Sequence, residues 1–247
     1  MLILANWKAY VEDAARAKRL AAAAKRLAAR YPKIEIALAP CAPHLGMLAP
    51  GNRSRIAYAA QDLSATTGGA QTGEVSAQVY ADLGAAYAIV GHSERRAAGE
   101  SGAQIAQKLQ HAIAHGLAPV LCVGERERDA ASEYLGFVRD QITAALAPLS
   151  PRERRAVIFA YEPVWAIGKS AAEAIEPADL AEMLLYIRKI ALALMPGKGG
   201  TARVLYGGSV EAADIRALAG GSQVDGFLVG HASVDAAMFS ALVKALA

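Results

Sequence analysis

The segment Val157-Ile158-Phe159-Ala160-Tyr161-Glu162-Pro163-Val164-Trp165-Ala166-Ile167-Gly168 runs from an apolar strand into a carboxylate, and then into a proline-braced, glycine-ended loop. β-Branched and aromatic residues over 157–159 predict a buried strand, so Glu162 stands where that strand emerges. A charged side chain in such a place is either paired or working. Pro163 fixes its own φ and biases Glu162 toward extended backbone, which aims the carboxylate. The small and apolar residues that follow, Val164 to Gly168, predict a loop able to fold over a pocket.

The same pattern of short aliphatic run and polar exit repeats along the chain. Strands are predicted at 2–5, 34–39, 56–60, 87–90, 118–123, 157–161, 204–206 and 226–229, and helices between them at 13–30, 104–115, 178–194 and 234–245. Ser150-Pro151-Arg152-Glu153 has the N-cap, N1 proline and capping-box acid of another helix start. Eight strands alternating with helices predict an α/β fold, a (β/α)8 barrel of parallel strands surrounded by helices. No linker or compositional break interrupts the series, so residues 1–247 are expected to form one domain.

Of the 247 residues, 54% are hydrophobic and only 6% aromatic, which suits a core of aliphatics and close-packed, alanine-rich helices. Two cysteines, Cys41 and Cys122, are too few for a disulfide framework, and Met1 to Asn6 enter a strand with no basic leader, so a cytoplasmic protein is expected. A net charge of +3 with interspersed signs predicts no nucleic-acid partner, and no apolar run approaches a membrane span. The polar segment Ser64 to Gly73 is the longest loop before the lid, and its composition fits a solvated surface loop.

In a parallel barrel the working face lies at the carboxyl ends of the strands, so polar residues just past each run form the candidate set. They are Asn6, Trp7 and Lys8; Gly91 to Arg96, including His92, Ser93 and Glu94; Glu162; Gly207, Gly208 and Ser209; and Gly230 and His231. Glycines after the last two strands let backbone N–H groups approach an anion. Singly, Lys8 suits a surface charge, His92 a structural imidazole and Glu94 a helix-start acid; jointly they propose acid–base chemistry beside a phosphate site. Gly168-Lys169-Ser170 fails as a P-loop because Pro163 stands where that motif needs glycine. His111 and His115 share a helix face without a third ligand, so no metal is expected, and Glu125 to Asp129 suggests a solvated helix start.

Asn6-Trp7-Lys8, Gly91-His92-Ser93-Glu94-Arg95-Arg96, Tyr161 to Gly168 and Tyr206-Gly207-Gly208-Ser209 together resemble the triosephosphate isomerases, in order and spacing, through essentially the whole chain. The resemblance implies a TIM barrel that interconverts dihydroxyacetone phosphate and D-glyceraldehyde 3-phosphate through an enediolate, in glycolysis and gluconeogenesis, without cofactor or metal. Glu162 would be the base, His92 the electrophile, and Lys8 and Asn6 the enediolate's stabilisers, with Glu94 beside Lys8. Ser93 resembles a hydroxyl that holds the base in the open state. Pro163, Val164, Trp165, Ala166 and Ile167 would form the lid, with Tyr206 and Ser209 as its anchors. Gly168, Ser170, Ser209, Gly230 and His231 would receive the phosphate. Thr72, Gly73 and Glu74 resemble a segment that enters a neighbouring subunit, which implies a homodimer.

Three positions depart from that family. Lys169-Ser170-Ala171-Ala172-Glu173 replaces the usual lid tip, Gly230-His231 replaces paired glycines, and Gln71 replaces a phenylalanine. The first two motivate an alternative substrate, a larger phosphorylated ketose such as a tetrulose phosphate. A non-catalytic barrel that binds a phosphorylated metabolite is the alternative of another class; retention of Glu162, His92 and Lys8 argues against it, because binding phosphate needs no base.

Overall fold

Eight strands close on themselves in this computed structural model, each pairing in parallel with the next and β1 (Leu2–Asn6) pairing with β8 (Gly226–Val229). The structure describes residues 1–129, 131–168, 175–195 and 201–247. Between these two strands lie β2 (Glu35–Ala39), β3 (Ala57–Ala60), β4 (Tyr87–Val90), β5 (Ala118–Val123), β6 (Ile158–Tyr161) and β7 (Val204–Tyr206). Each lies within a residue of the run that predicts it.

A ring of helices covers the barrel. It comprises α1 (Ala14–Arg30), α2 (Ala42–Leu48), α3 (Ala77–Asp82), α4 (Ser93–Ala97), α5 (Gly102–Ala114), α6 (Glu133–Leu146), α7 (Pro151–Arg154), α8 (Pro177–Ala193), α9 (Ile215–Ser222) and α10 (Ala236–Leu246). Their starts are set by side chains that satisfy free N–H groups. Asp13 Oδ1 accepts from Arg16 N–H at 2.7 Å, and Ser150 and Glu153 form the capping box that the sequence predicts. The last helix begins at Ala236 rather than 234, because Asp235 Oδ1 takes the N–H groups of Ala237 and Met238 and the preceding His231–Val234 winds as a 3-10 turn.

The period of two along each strand divides the core into two layers. Leu2, Leu4, Ala37, Ala39, Ala59, Tyr87, Ile89, Val120, Cys122, Ile158, Ala160, Leu205 and Leu228 fill the barrel interior, while Ile3, Ala5, Leu121, Phe159, Tyr206 and Phe227 belong to the layer packed with the helices. Extending the inward series by one step, from Leu2 and Leu4 to Asn6 and from Ile158 and Ala160 to Glu162, places both polar side chains at the barrel mouth.

The seam between β1 and β8 is tight. Gly226 pairs with Leu2, and a Cβ added at Gly226 would overlap the backbone of Leu2. Gly226→Ala is therefore expected to lower stability by about 2–3 kcal/mol through overpacking, read as a lower melting temperature.

Candidate active site

Glu162, 2% exposed, leaves the end of β6 with its backbone N–H bonded to the Val123 carbonyl at 2.8 Å. Its two carboxylate oxygens are held separately. Ser93 backbone N–H donates to Oε2 at 2.9 Å, and His92 Nε2 stands 3.1 Å from Oε1. The contact from Ser93 comes from its main chain, where the resemblance implies its hydroxyl.

His92 reaches this position through a break in strand geometry. Continued alternation from Ala88 and Val90 would turn residue 92 toward the helices; Gly91, at φ +69°, redirects the chain instead. His92 then caps α4, its Nδ1 accepting the Glu94 N–H at 3.2 Å. A nitrogen that accepts an amide N–H carries no proton, so the ring proton sits on Nε2, facing Glu162. Arg96 supports both strand ends from behind, donating to the carbonyls of Gly91 at 2.7 Å and Cys122 at 3.0 Å, with burial lowering its pKa. The Cys122 thiol is pushed well up, first by burial and then by the Glu162 carboxylate, so it faces the base as a neutral group.

Lys8 adopts φ +46°, a conformation that costs a residue with a side chain about 1 kcal/mol or more. Two hydrogen bonds maintain it: Lys8 N–H to Asn6 Oδ1 at 3.0 Å and Gln61 Nε2 to the Lys8 carbonyl at 2.9 Å. The ammonium pairs with Glu94 at 2.6 Å. Asn6 itself is buried.

Asn6, Lys8, His92 and Glu162 line one cavity of about 370 Å³, whose wall also includes Ile167, Gly168, Gly207, Gly208, Ser209, Gly230 and His231. Acid, imidazole and ammonium thus share the cavity with glycine-rich backbone, Gly207 lying against the Glu162 side chain and Gly230 against that of Lys8. His231 stands at the rim, its ring edge-on to Tyr10 with centroids 5.9 Å apart. Gly208 lies over the buried Tyr206 hydroxyl, which a Cβ at 208 would overlap.

The lid root Val164–Ala166 is a 3-10 turn after Pro163. On one side Gly168 N–H donates to Ser209 Oγ at 2.9 Å, and Ser209 Oγ donates to the Ala166 carbonyl at 3.2 Å. On the other side Trp165 Nε1 donates to Glu125 Oε1 at 2.9 Å. Ser209 thus contacts the lid directly, whereas the Tyr206 hydroxyl has no partner among the described residues. Ser170 and Lys169 lie outside the described residues.

Glu125 corrects the sequence-based expectation of a solvated helix start. It is 1% exposed, and besides Trp165 its Oε1 accepts from Tyr161 Oη at 2.7 Å and Arg128 Nε at 3.2 Å. The charge alternation of 125–129 hides this, because two of the three donors come from residues 36 and 40 positions further on. His111 and His115 contact the carbonyls of Ser64 and His111, and no cluster able to hold a metal ion is found among the described residues. None of the described helices is long and apolar enough to cross a membrane.

A closed parallel βα barrel with buried polar side chains and a glycine-rich wall around a cavity at its strand ends belongs among the (β/α)8 barrels. Residues 1–246 match the family described as triosephosphate isomerase. The triosephosphate isomerase of Mycobacterium bovis is 39% identical over 218 residues, covering 86% of this chain and 83% of that protein. That of Corynebacterium diphtheriae is 38% identical over 250 residues, 98% of this chain and 95% of its own length, and that of Mycobacteroides abscessus 41% over 196 residues, 78% and 74%. The chain belongs to the triosephosphate isomerase family, and is an isomerase by that membership.

Proposed function

We propose that the chain interconverts dihydroxyacetone phosphate and D-glyceraldehyde 3-phosphate, as a step of glycolysis and gluconeogenesis in the cytoplasm, with residues 1–247 acting as one domain. The observation that carries the mechanism is the buried contact of Glu162 with His92 Nε2 in a cavity that also holds Lys8. Glu162 removes a proton from the hydroxyl-bearing carbon, the C–H electron pair forms the carbon–carbon double bond, and the carbonyl pair moves onto oxygen. The Nε2–H of His92, the ammonium of Lys8 and the amide of Asn6 stabilise that oxygen better than water, being already oriented. The former carbonyl oxygen takes up a proton and the former hydroxyl gives one up, exchanged through the Nε2 of His92, and as the new carbonyl forms Glu162 returns its proton to the neighbouring carbon. Glu94 holds the Lys8 ammonium between substrates, and Ser93 N–H steadies the base.

Gly168, Ser209, Gly230 and His231 also line the cavity and suit the phosphate, together with Ser170 beyond the described residues. Pro163 to Ile167 close over it, so that the enediolate is protonated before it expels phosphate. None of these steps calls on a cofactor. Coupled-assay turnover of both triose phosphates, set against a phosphorylated tetrulose, tests the assignment; preferred turnover of the tetrulose would make His231 and Tyr10 part of a wider site.

The exposed loop carrying Thr72, Gly73 and Glu74, with Met47 of α2 and Val79 of α3 exposed on neighbouring elements, supports a homodimer. Light scattering at micromolar concentration is expected to give twice the mass of the chain. A fully active monomer would return 64–73 to a solvated loop.

A further inference from the structure

Arg128 takes no part in the reaction as proposed, yet it joins the side chains that hold the lid on its Glu125 side, where Val164 N–H also donates to the Glu125 carbonyl at 2.9 Å. Its Nε donates to Glu125 Oε1 at 3.2 Å, and its Nη2 donates to Tyr161 Oη at 3.3 Å. Tyr161 Oη in turn donates to the same Glu125 oxygen at 2.7 Å, which closes a ring of hydrogen bonds and fixes the direction of the hydroxyl. Among the described residues, Arg128 is the one cation paired with this buried carboxylate. A carboxylate withdrawn from water needs such a partner to stay where it is.

The guanidinium also lies over two aromatic rings. Its carbon is 5.6 Å from the centroid of Trp165 in the lid root and 4.7 Å from that of Tyr134 in the first turn of α6. That turn is itself anchored: Asp129 takes the N–H groups of Glu133 and Tyr134 at 2.9 and 3.0 Å, bonds that lower its pKa. A continuous path therefore runs from α6 through Tyr134 and Arg128 to the Trp165 indole, and through Glu125 to its N–H. Trp165 can reach Glu125 only while that carboxylate is held in place.

We propose that Arg128 is a positioning residue for lid closure, neutralising Glu125 and bracing the Trp165 indole so that the lid rests shut over the enediolate. The proposal rests on the isomerase reading. When the lid lifts, the enediolate can break its C–O bond to phosphate; inorganic phosphate leaves with that electron pair, and the resulting enol tautomerises to methylglyoxal. The ratio of methylglyoxal to isomerised product is thus a gauge of closure that a general loss of stability would not move.

Arg128→Met is expected to lower kcat/KM about ten-fold and to raise the methylglyoxal fraction several-fold, as expected from losing a partly buried cation–π contact and an ion pair. Glu125→Gln removes the charge that needs Arg128 while keeping an acceptor for Trp165. The double variant E125Q/R128M should then recover a product ratio close to that of E125Q. An unchanged ratio in R128M, or a double variant no better than R128M, overturns the proposal. If R128M does not fold, Arg128→Gln takes its place, which removes the charge while keeping a polar side chain, and a wild-type ratio there overturns it equally. Wild-type turnover of glyceraldehyde 3-phosphate tests the reaction itself. Tryptophan emission, expected to shift red in the variant as Trp165 loses its brace, reads Arg128 without any turnover, and an unshifted emission counts against it.

Discussion

Glu162→Gln is expected to lower kcat by about 10⁴-fold, with KM and melting temperature close to wild type, because a positioned base is worth up to that factor and an amide cannot serve as one. The local geometry makes this substitution especially exacting. Both neighbours of the carboxylate, Ser93 N–H and the protonated Nε2 of His92, are donors. A carboxylate accepts from both, whereas glutamine can offer an oxygen to one and must turn its own N–H groups toward the other. The amide is therefore expected to rotate away from His92, a movement visible as a new environment for the imidazole in NMR. Coupled assay and thermal melt together decide the matter: near-normal turnover by a folded variant would remove Glu162 from the role of base.

His92→Asn isolates the second group. Asparagine is among the best helix caps, so its side chain can still take the Glu94 N–H and keep the start of α4. It is too short to present a donor where Nε2 stands. The expected result is a fold of near wild-type stability and a loss of about 10³-fold in kcat, within the range for a positioned acid. His92→Ala, measured beside it, should lose about 1 kcal/mol more stability through the missing cap at a similar rate. If His92→Asn turned over as fast as wild type, the imidazole would be a capping group and nothing more.

The fold was legible in the sequence because parallel strands buried on both faces leave short aliphatic runs, and these locate the strands to within a residue. The polar residues of the cavity were legible for a related reason: in such a barrel a polar residue soon after a run lies at the mouth, as Asn6, Lys8 and Glu162 do. Relations between distant segments were not legible. Glu125, amid alternating charges, looks solvated until Tyr161 and Trp165 are folded against it. Ser93 suggests a hydroxyl contact, yet its main-chain N–H makes the bond, and only the turn at Gly91 reveals this. Asp235 caps the last helix two residues later than apolar periodicity alone places its start.

The pairing of Leu2 with Gly226 also bears on how the chain is made. The first strand of the barrel to be made meets its second neighbour only when the eighth has been synthesised. At about 5–20 residues per second this interval is on the order of 10–50 s. Throughout it β1, buried along its whole length in the finished barrel, offers an open edge of unpaired N–H and C=O groups, flanked by apolar side chains, to any other nascent chain. Contacts of such long sequence separation also form slowly in the released protein. A barrel sealed by its two ends thus trades an edge-free native state for a long period of exposure during birth, and β1 is the segment on which a chaperone would have most to do.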